Sequence, residues 1–87
     1  MTQLEVLKEA VRRFGSINQK EMAIEECSEL INALQKEKRH RVTDDDVITE
    51  IADVTIMCQQ LTLIYGEDKV CDEITRKTNR LKERMGL

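Results

Sequence analysis

The chain has no proline and only three glycines among 87 residues, and this scarcity of helix breakers restricts its fold more than any other feature. Only Gly15-Ser16, the polar segment 40–46 and Gly66 interrupt the sequence internally. Apolar residues recur at helical spacing between them. We therefore predict an all-α protein, one domain over residues 1–87, with helices at about 2–14, 18–39, 43–65 and 67–85 that form a four-helix bundle.

The third predicted helix indicates that the bundle is completed by other copies. One face carries Val47, Ile51, Val54, Cys58, Leu61 and Tyr65. Ile48, Ile56 and Leu63 lie well away from that face, so two buried faces are implied, one of them between subunits. A chain of this length buries only about 60 to 65% of its unfolded surface, which leaves a monomer marginal. We expect a homodimer or homotetramer.

The composition of the chain limits which partners the protein is expected to bind and in which compartment it is expected to reside. With 14 basic and 17 acidic residues, the net charge of −3 gives no positive field for nucleic acid. We find neither a signal-peptide pattern nor the roughly 20 apolar residues of a membrane span, so we expect a cytoplasmic protein without membrane contact. Cys27, Cys58 and Cys71 are odd in number and widely spaced, and we expect them to be small buried apolar residues.

Four carboxylates occupy positions that should face inward. Glu26 is flanked by apolar residues on the second helix, and Glu29 lies one turn further on. Glu50 lies inside the apolar arc of the third helix, with Asp53 three residues later. Buried like charges are unfavourable without a cation, and oxygen ligands suit Mg²⁺, with Mn²⁺ as a substitute. The alternative is ordinary ion pairing with Lys20, Lys36 or arginines of the fourth helix.

The spacing of these acidic residues matches two known sequence motifs. Glu25, Glu26 and Glu29 read E-E-x-x-E, and Glu50 and Asp53 read E-x-x-D after a gap that suits a helical hairpin. Over residues 14–81 the chain resembles the MazG-type all-α nucleotide pyrophosphohydrolases. The resemblance implies hydrolysis of a nucleoside triphosphate to monophosphate and pyrophosphate. It also implies that Mg²⁺ is held by Glu26, Glu29, Glu50 and Asp53, while Glu25 orients or deprotonates the attacking water.

Substrate contacts are expected from three further residues. Lys77 and Arg80 of the fourth helix are candidates for binding phosphate, and Arg80 would have to reach a neighbouring subunit. Gln19 lies two turns before Glu26 on nearly the same face and is a candidate for contacting the base. Only Phe14 and Tyr65 are available for stacking. We expect His40, in a connecting loop, to be a surface residue.

Other functions compete with this interpretation. A ferritin-type di-iron bundle would require Glu-x-x-His pairs, and the only histidine lies outside the acidic helices. A non-catalytic helical interaction module could neutralise its acids across a subunit interface. Within the enzyme class, a phosphoribosyl-ATP pyrophosphohydrolase is the main alternative, and the sequence names neither base nor sugar.

Overall fold

The four predicted helices are present in the computed structural model, which describes residues 1–87. They are α1 (Gln3–Phe14), α2 (Ser16–Lys38), α3 (Asp44–Tyr65) and α4 (Glu67–Arg84). Helix accounts for 86% of the chain, and there are no strands. The all-α prediction is confirmed, and the observed ends lie within two residues of the predicted ones.

Local sequence determines where these helices begin and end. At the start of α3, the backbone N–H of Thr43 donates to the Asp46 carboxylate at 2.8 Å, which satisfies a group that the helix itself leaves unpaired. Thr2 and Glu5 cap α1 in the same way. Gly66 separates α3 from α4 with φ +120°, a backbone conformation that residues with a Cβ rarely adopt.

Helices α2 and α3 form an antiparallel hairpin that positions the candidate site residues. Gln19 donates a hydrogen bond to Gln60 at 2.6 Å near the open end, and Glu37 meets Asp44 near the connection. Between these points one stripe of each helix faces the other, and we call these residues the seam. On α2 and α3 the seam residues are Gln19, Ala23, Glu26, Leu30, Ala33, Val47, Glu50, Val54, Met57 and Leu61, all buried or half-buried.

The seam contains the carboxylates Glu26 and Glu50. Several residues that we predicted to be buried therefore lie outside it, and those predictions are wrong. Ile51, Cys58 and Tyr65, predicted to share the buried face of α3, are exposed. Cys27 and Cys71 are exposed too, so none of the three cysteines is a buried apolar residue. The physical reason is that α3 is apolar on more than one side, and pairing with α2 selects the side that contains Glu50.

Helix α1 covers part of the second apolar side of α3. Leu4 and Leu7 line a cavity together with Leu63, and Leu7 also lines a cavity beside Ile56. The face that we assigned to another subunit through Ile56 and Leu63 therefore contacts a helix of its own chain. Ile56 nevertheless stays 44% exposed, because α1 is short and covers the face incompletely.

Helix α4 leaves the hairpin, and the four helices of one chain do not close into a bundle. Every residue after Val70 is exposed. The radius of gyration is 15.5 Å, compared with about 12 Å for a compact chain of this length. Completion of the bundle by further copies stays a prediction.

Helix α3 is long and apolar enough to cross a membrane by length and composition alone. Our expectation that no segment reaches this threshold is wrong, because Glu50 and Asp53 are the only charged residues of α3 after its first turn. The central helix of a soluble protein can meet the same criterion. Glu50 and Asp53 lie near the middle of α3. If α3 spanned a bilayer, a charged carboxylate at the bilayer centre would cost about 2.5 to 3.5 kcal/mol. The absence of membrane contact stays a prediction.

Candidate metal centre

Three of the four predicted ligands meet at the middle of the hairpin. Glu26, Glu29 and Glu50 each offer one carboxylate oxygen, and these oxygens all lie within 4.8 Å of one another. Glu26 and Glu29 are one turn apart on α2, so both side chains reach the same point on α3. The antiparallel pairing thus brings together acids that are far apart in sequence.

Two oxygen atoms in this cluster are buried without a hydrogen-bond partner. They are Oε2 of Glu26 and Oε2 of Glu50, one from each helix of the seam. Buried polar atoms are normally satisfied, and a carboxylate oxygen removed from water without a donor is unfavourable. A donor or a cation is therefore needed at this point if both groups are to remain ionised.

The pKa values of the clustered glutamates also indicate that a donor or a cation is needed to keep them ionised. Burial raises the pKa of Glu26, and the negative charges of Glu29, Asp53 and Glu50 raise it further. The pKa of Glu50 is also raised, first by burial and then by Glu29 and Asp53. In both cases the nearby Glu29 carboxyl group adds to the effect, because a hydrogen bond between two carboxyl groups requires one of them to be protonated. The unneutralised cluster therefore favours protonation.

Asp53, the fourth predicted ligand, lies beside the three glutamates rather than among the atoms that meet. It is half-buried, three residues after Glu50, and its charge acts on both Glu26 and Glu50. The E-x-x-D spacing predicted this position, since residues three apart are neighbours on one side of a helix.

No basic side chain neutralises the cluster. The only salt bridges of the chain join Glu9 to Arg12 and Arg13 within α1, and Glu73 to Arg76 within α4. The Lys20 ammonium lies over the Tyr65 ring, 4.7 Å from its centroid. The alternative that the four carboxylates form ordinary ion pairs within the chain is therefore wrong.

A divalent cation fits this donor set. Two oxygens bound to one Mg²⁺ ion lie at most about 4.2 Å apart, because each bond measures 2.0 to 2.1 Å. The three oxygens would reach that spacing after side-chain movement of less than about 1 Å. All ligand atoms are hard carboxylate oxygens, and the group contains no histidine or cysteine that would favour zinc.

The remaining predicted residues lie at varying distances from the cluster. Glu25 is exposed on α2, next to Glu26 in sequence. Lys77 lines a shallow cavity with Tyr65 and Lys69, and neither Lys77 nor Arg80 forms a salt bridge with a carboxylate of the cluster. The single chain therefore does not bring the cations of α4 to the carboxylates.

Gln19, the predicted base contact, is buried and adjoins a cavity of 410 Å³. The lining residues are Phe14, Asn18, Gln19, Glu21, Met22 and Met57. Met22 lies one turn before Glu26, so this wall of the cavity is next to the cluster along α2. We did not predict that Asn18, Met22 and Met57 line a cavity, although both methionines flank the acids in the apolar arcs.

Comparison with protein-family models, characterised proteins and solved structures gives no match to this chain. The resemblance to MazG-type enzymes therefore rests on the acidic motif and on its placement in a helical hairpin.

Proposed function

We propose that the protein is a Mg²⁺-dependent nucleoside triphosphate pyrophosphohydrolase of the MazG type, which releases a nucleoside monophosphate and pyrophosphate. The observation that carries this proposal is the pair of buried, unpartnered oxygens on Glu26 and Glu50, with Glu29 beside them and no basic side chain in contact. Such an arrangement is unfavourable in a purely structural role and suits a site that receives a cation.

Glu26, Glu29 and Glu50 would hold the metal, and Asp53 would join them or orient a bound water. Mg²⁺, or Mn²⁺ in its place, would supply positive charge to the triphosphate oxygens and to the departing pyrophosphate. The hairpin contributes rigidity, because ligands from both helices are fixed by the same seam. Preorganised charge of this kind is usually the largest single contribution to catalysis.

Glu25 is the candidate for handling the attacking water. Its side chain is exposed, and its position on α2 is about 100° from that of Glu26, so it borders the cluster without being part of the seam. A carboxylate there can accept the proton that the water loses as its oxygen bonds to phosphorus and the phosphoanhydride bond breaks.

The cavity beside Gln19 is the candidate location for the base. Phe14 offers an aromatic ring, Met22 and Met57 offer polarisable apolar surface, and Asn18 offers an amide. Gln19 donates an amide N–H to the side-chain oxygen of Gln60, and this hydrogen bond fixes the orientation of the Gln19 side chain. Lys77 and Arg80 would take part only if α4 of another copy approached the cluster.

Two alternatives remain within reach of experiment. A phosphoribosyl-ATP pyrophosphohydrolase would use the same carboxylates, and the reaction products distinguish it. A non-catalytic interaction module would show neither saturable Mg²⁺ binding nor turnover. Because no salt bridge within the chain reaches the cluster, such a module would have to neutralise its acids across a subunit interface, and Mg²⁺ binding and turnover distinguish it from the enzyme.

The test is a panel of standard and modified nucleoside triphosphates, with phosphoribosyl-ATP included, incubated with protein and Mg²⁺. We expect pyrophosphate rather than orthophosphate as the product. Glu29→Gln and Asp53→Asn should each reduce turnover by roughly 10²-fold or more, the scale of losing one preorganised electrostatic contact. Glu83→Gln, an exposed glutamate of α4 outside any salt bridge, is the matched control and should retain full activity.

If every triphosphate stays intact, the enzyme proposal is wrong. The same conclusion follows if Glu29→Gln and Asp53→Asn turn over as fast as the parent. In either case the interaction module becomes the better account.

A further inference from the structure

The cavity beside Gln19 has polar groups of one kind on its walls. Its volume of 410 Å³ falls within the range of about 300 to 1,000 Å³ that small-molecule sites occupy. Half of its lining is apolar, and the polar lining residues are Asn18, Gln19 and Glu21. No lysine, arginine or histidine lines it. The chemistry of its ligand therefore depends on how two amides and one carboxylate are oriented.

The Gln19 amide is held in one orientation inside the hairpin. Its nitrogen donates to the side-chain oxygen of Gln60 at 2.6 Å, and the two residues are only 6% and 4% exposed. Gln60 in turn directs its own amide nitrogen at the sulfur of Met57, at 3.6 Å. Turning the Gln19 amide over would set its oxygen against the oxygen of Gln60, where two acceptors meet without a donor. The Gln19 nitrogen is therefore fixed toward Gln60.

The Gln19 oxygen is left free by this arrangement. No group of the chain donates a hydrogen bond to it, since the bond of this side chain is the one that its nitrogen donates to Gln60. The only buried side-chain nitrogen or oxygen atoms without a partner are Oε2 of Glu26 and Oε2 of Glu50, so the Gln19 oxygen is not closed off from solvent. The open space beside Gln19 is the cavity. A ligand there meets a fixed carbonyl oxygen.

Asn18 and Glu21 add further acceptors. The Asn18 amide nitrogen donates to the backbone oxygen of Phe14 at 2.7 Å, which leaves the amide oxygen of Asn18 without a donor from the chain. Glu21 takes part in no salt bridge, and an ionised carboxylate can only accept hydrogen bonds. The cavity therefore favours a ligand that brings N–H groups.

Nucleobases differ in the number of N–H groups that they bring. Cytosine and adenine carry an exocyclic amino group with two N–H donors, whereas uracil and hypoxanthine carry a carbonyl oxygen at the same ring position. The carbonyl bases keep one ring N–H, but the carbonyl oxygen stands beside it and faces the same acceptors. Two acceptors that meet in this way are both left without a partner.

We propose that Gln19, positioned by Gln60, selects nucleoside triphosphates whose base carries an exocyclic amino group, as cytosine and adenine do. The ring of Phe14, which is 60% exposed, is available for stacking on the base. Gln60 is a positioning residue, because it acts on the base only through Gln19. The proposal rests on the proposed pyrophosphohydrolase function and adds to it the class of base.

The first test compares two pairs of substrates in the parent protein with Mg²⁺. The pairs are dCTP with dUTP and dATP with dITP, and in each pair an amino group is exchanged for a carbonyl oxygen at one ring position. We expect kcat/KM to be about tenfold or more higher for the amino member, because the carbonyl member loses a hydrogen bond and leaves an acceptor of the site unpaired.

The second test uses variants that release the Gln19 amide. In Gln60→Leu nothing holds this amide, and the ratio of kcat/KM between the amino and carbonyl members should fall toward one. Gln60→Glu should retain the preference, since its side chain still accepts the hydrogen bond from Gln19. Gln59→Leu, the same change at the exposed neighbouring residue, is the matched control and should keep the parent ratio. A general loss of stability lowers the rate for both members of a pair alike, so the ratio reports the orientation of Gln19 rather than folding.

Gln19→Leu lacks the selecting oxygen itself and should lose the preference too, so it replaces Gln60→Leu if that variant does not fold. Equal kcat/KM for both members of each pair in the parent, or a preference for the carbonyl members, would overturn the proposal and leave the proposed function intact. A folded Gln60→Leu or Gln19→Leu protein with the full parent ratio would overturn it as well. If every triphosphate stays intact, the proposed function fails and this proposal fails with it.

Discussion

Replacement of Glu50 by glutamine separates a metal ligand from a structural charge. Glu50 contributes one of the two buried, unpartnered oxygens, and both burial and neighbouring negative charge raise its pKa. Glutamine has nearly the same shape and no charge. We therefore expect Glu50→Gln without metal to be as stable as the parent or more so, because like-charge repulsion is relieved.

The response to Mg²⁺ should be lost in the same variant. A ligand that binds only the folded state stabilises it by about 2.7 kcal/mol when its free concentration is 100 times Kd. For a domain of this length, that corresponds to a rise in Tm of about 10 to 20 °C. The parent should show this rise, whereas Glu50→Gln, with two ligating glutamates instead of three, should show little or none.

The assay is thermal unfolding followed by circular dichroism, with EDTA or millimolar Mg²⁺ and at one fixed protein concentration. Glu83→Gln serves as the control and should respond like the parent. A parent that ignores Mg²⁺ would refute the metal centre. A Glu50→Gln protein that is strongly destabilised and indifferent to metal would show instead that Glu50 forms a structural salt bridge with another copy of the chain.

Further predictions concern pH and helix capping. The raised pKa values of Glu26 and Glu50 mean that the folded state holds these protons more tightly, so metal-free stability should increase as the pH falls from 8 toward 5. Below about pH 4.5 it should decline, because Arg12 and Arg13 lower the pKa of Glu9 to about 2; denaturant titrations across pH measure both effects. Asp46→Ala should reduce the free energy of unfolding by about 1 kcal/mol through loss of the cap on α3, as urea unfolding would show.

The helix ends could be predicted because their causes are local. Thr43 and Asp46 cap α3 within one turn, and Gly66 ends it without help from the rest of the fold. The pairing of carboxylates was equally accessible, since i, i+3 spacing and the apolar residues around Glu26 and Glu50 are both visible in sequence.

The burial pattern could not be predicted in the same way, because α3 is apolar on several sides. Hydrophobic periodicity favoured Ile51 and Cys58, but the contact with α2 buries Met57 and Gln60 instead. The hydrogen bond between Gln19 and Gln60 joins residues 41 positions apart. No local pattern encodes such a pair, so the seam emerges only when both helices are placed together.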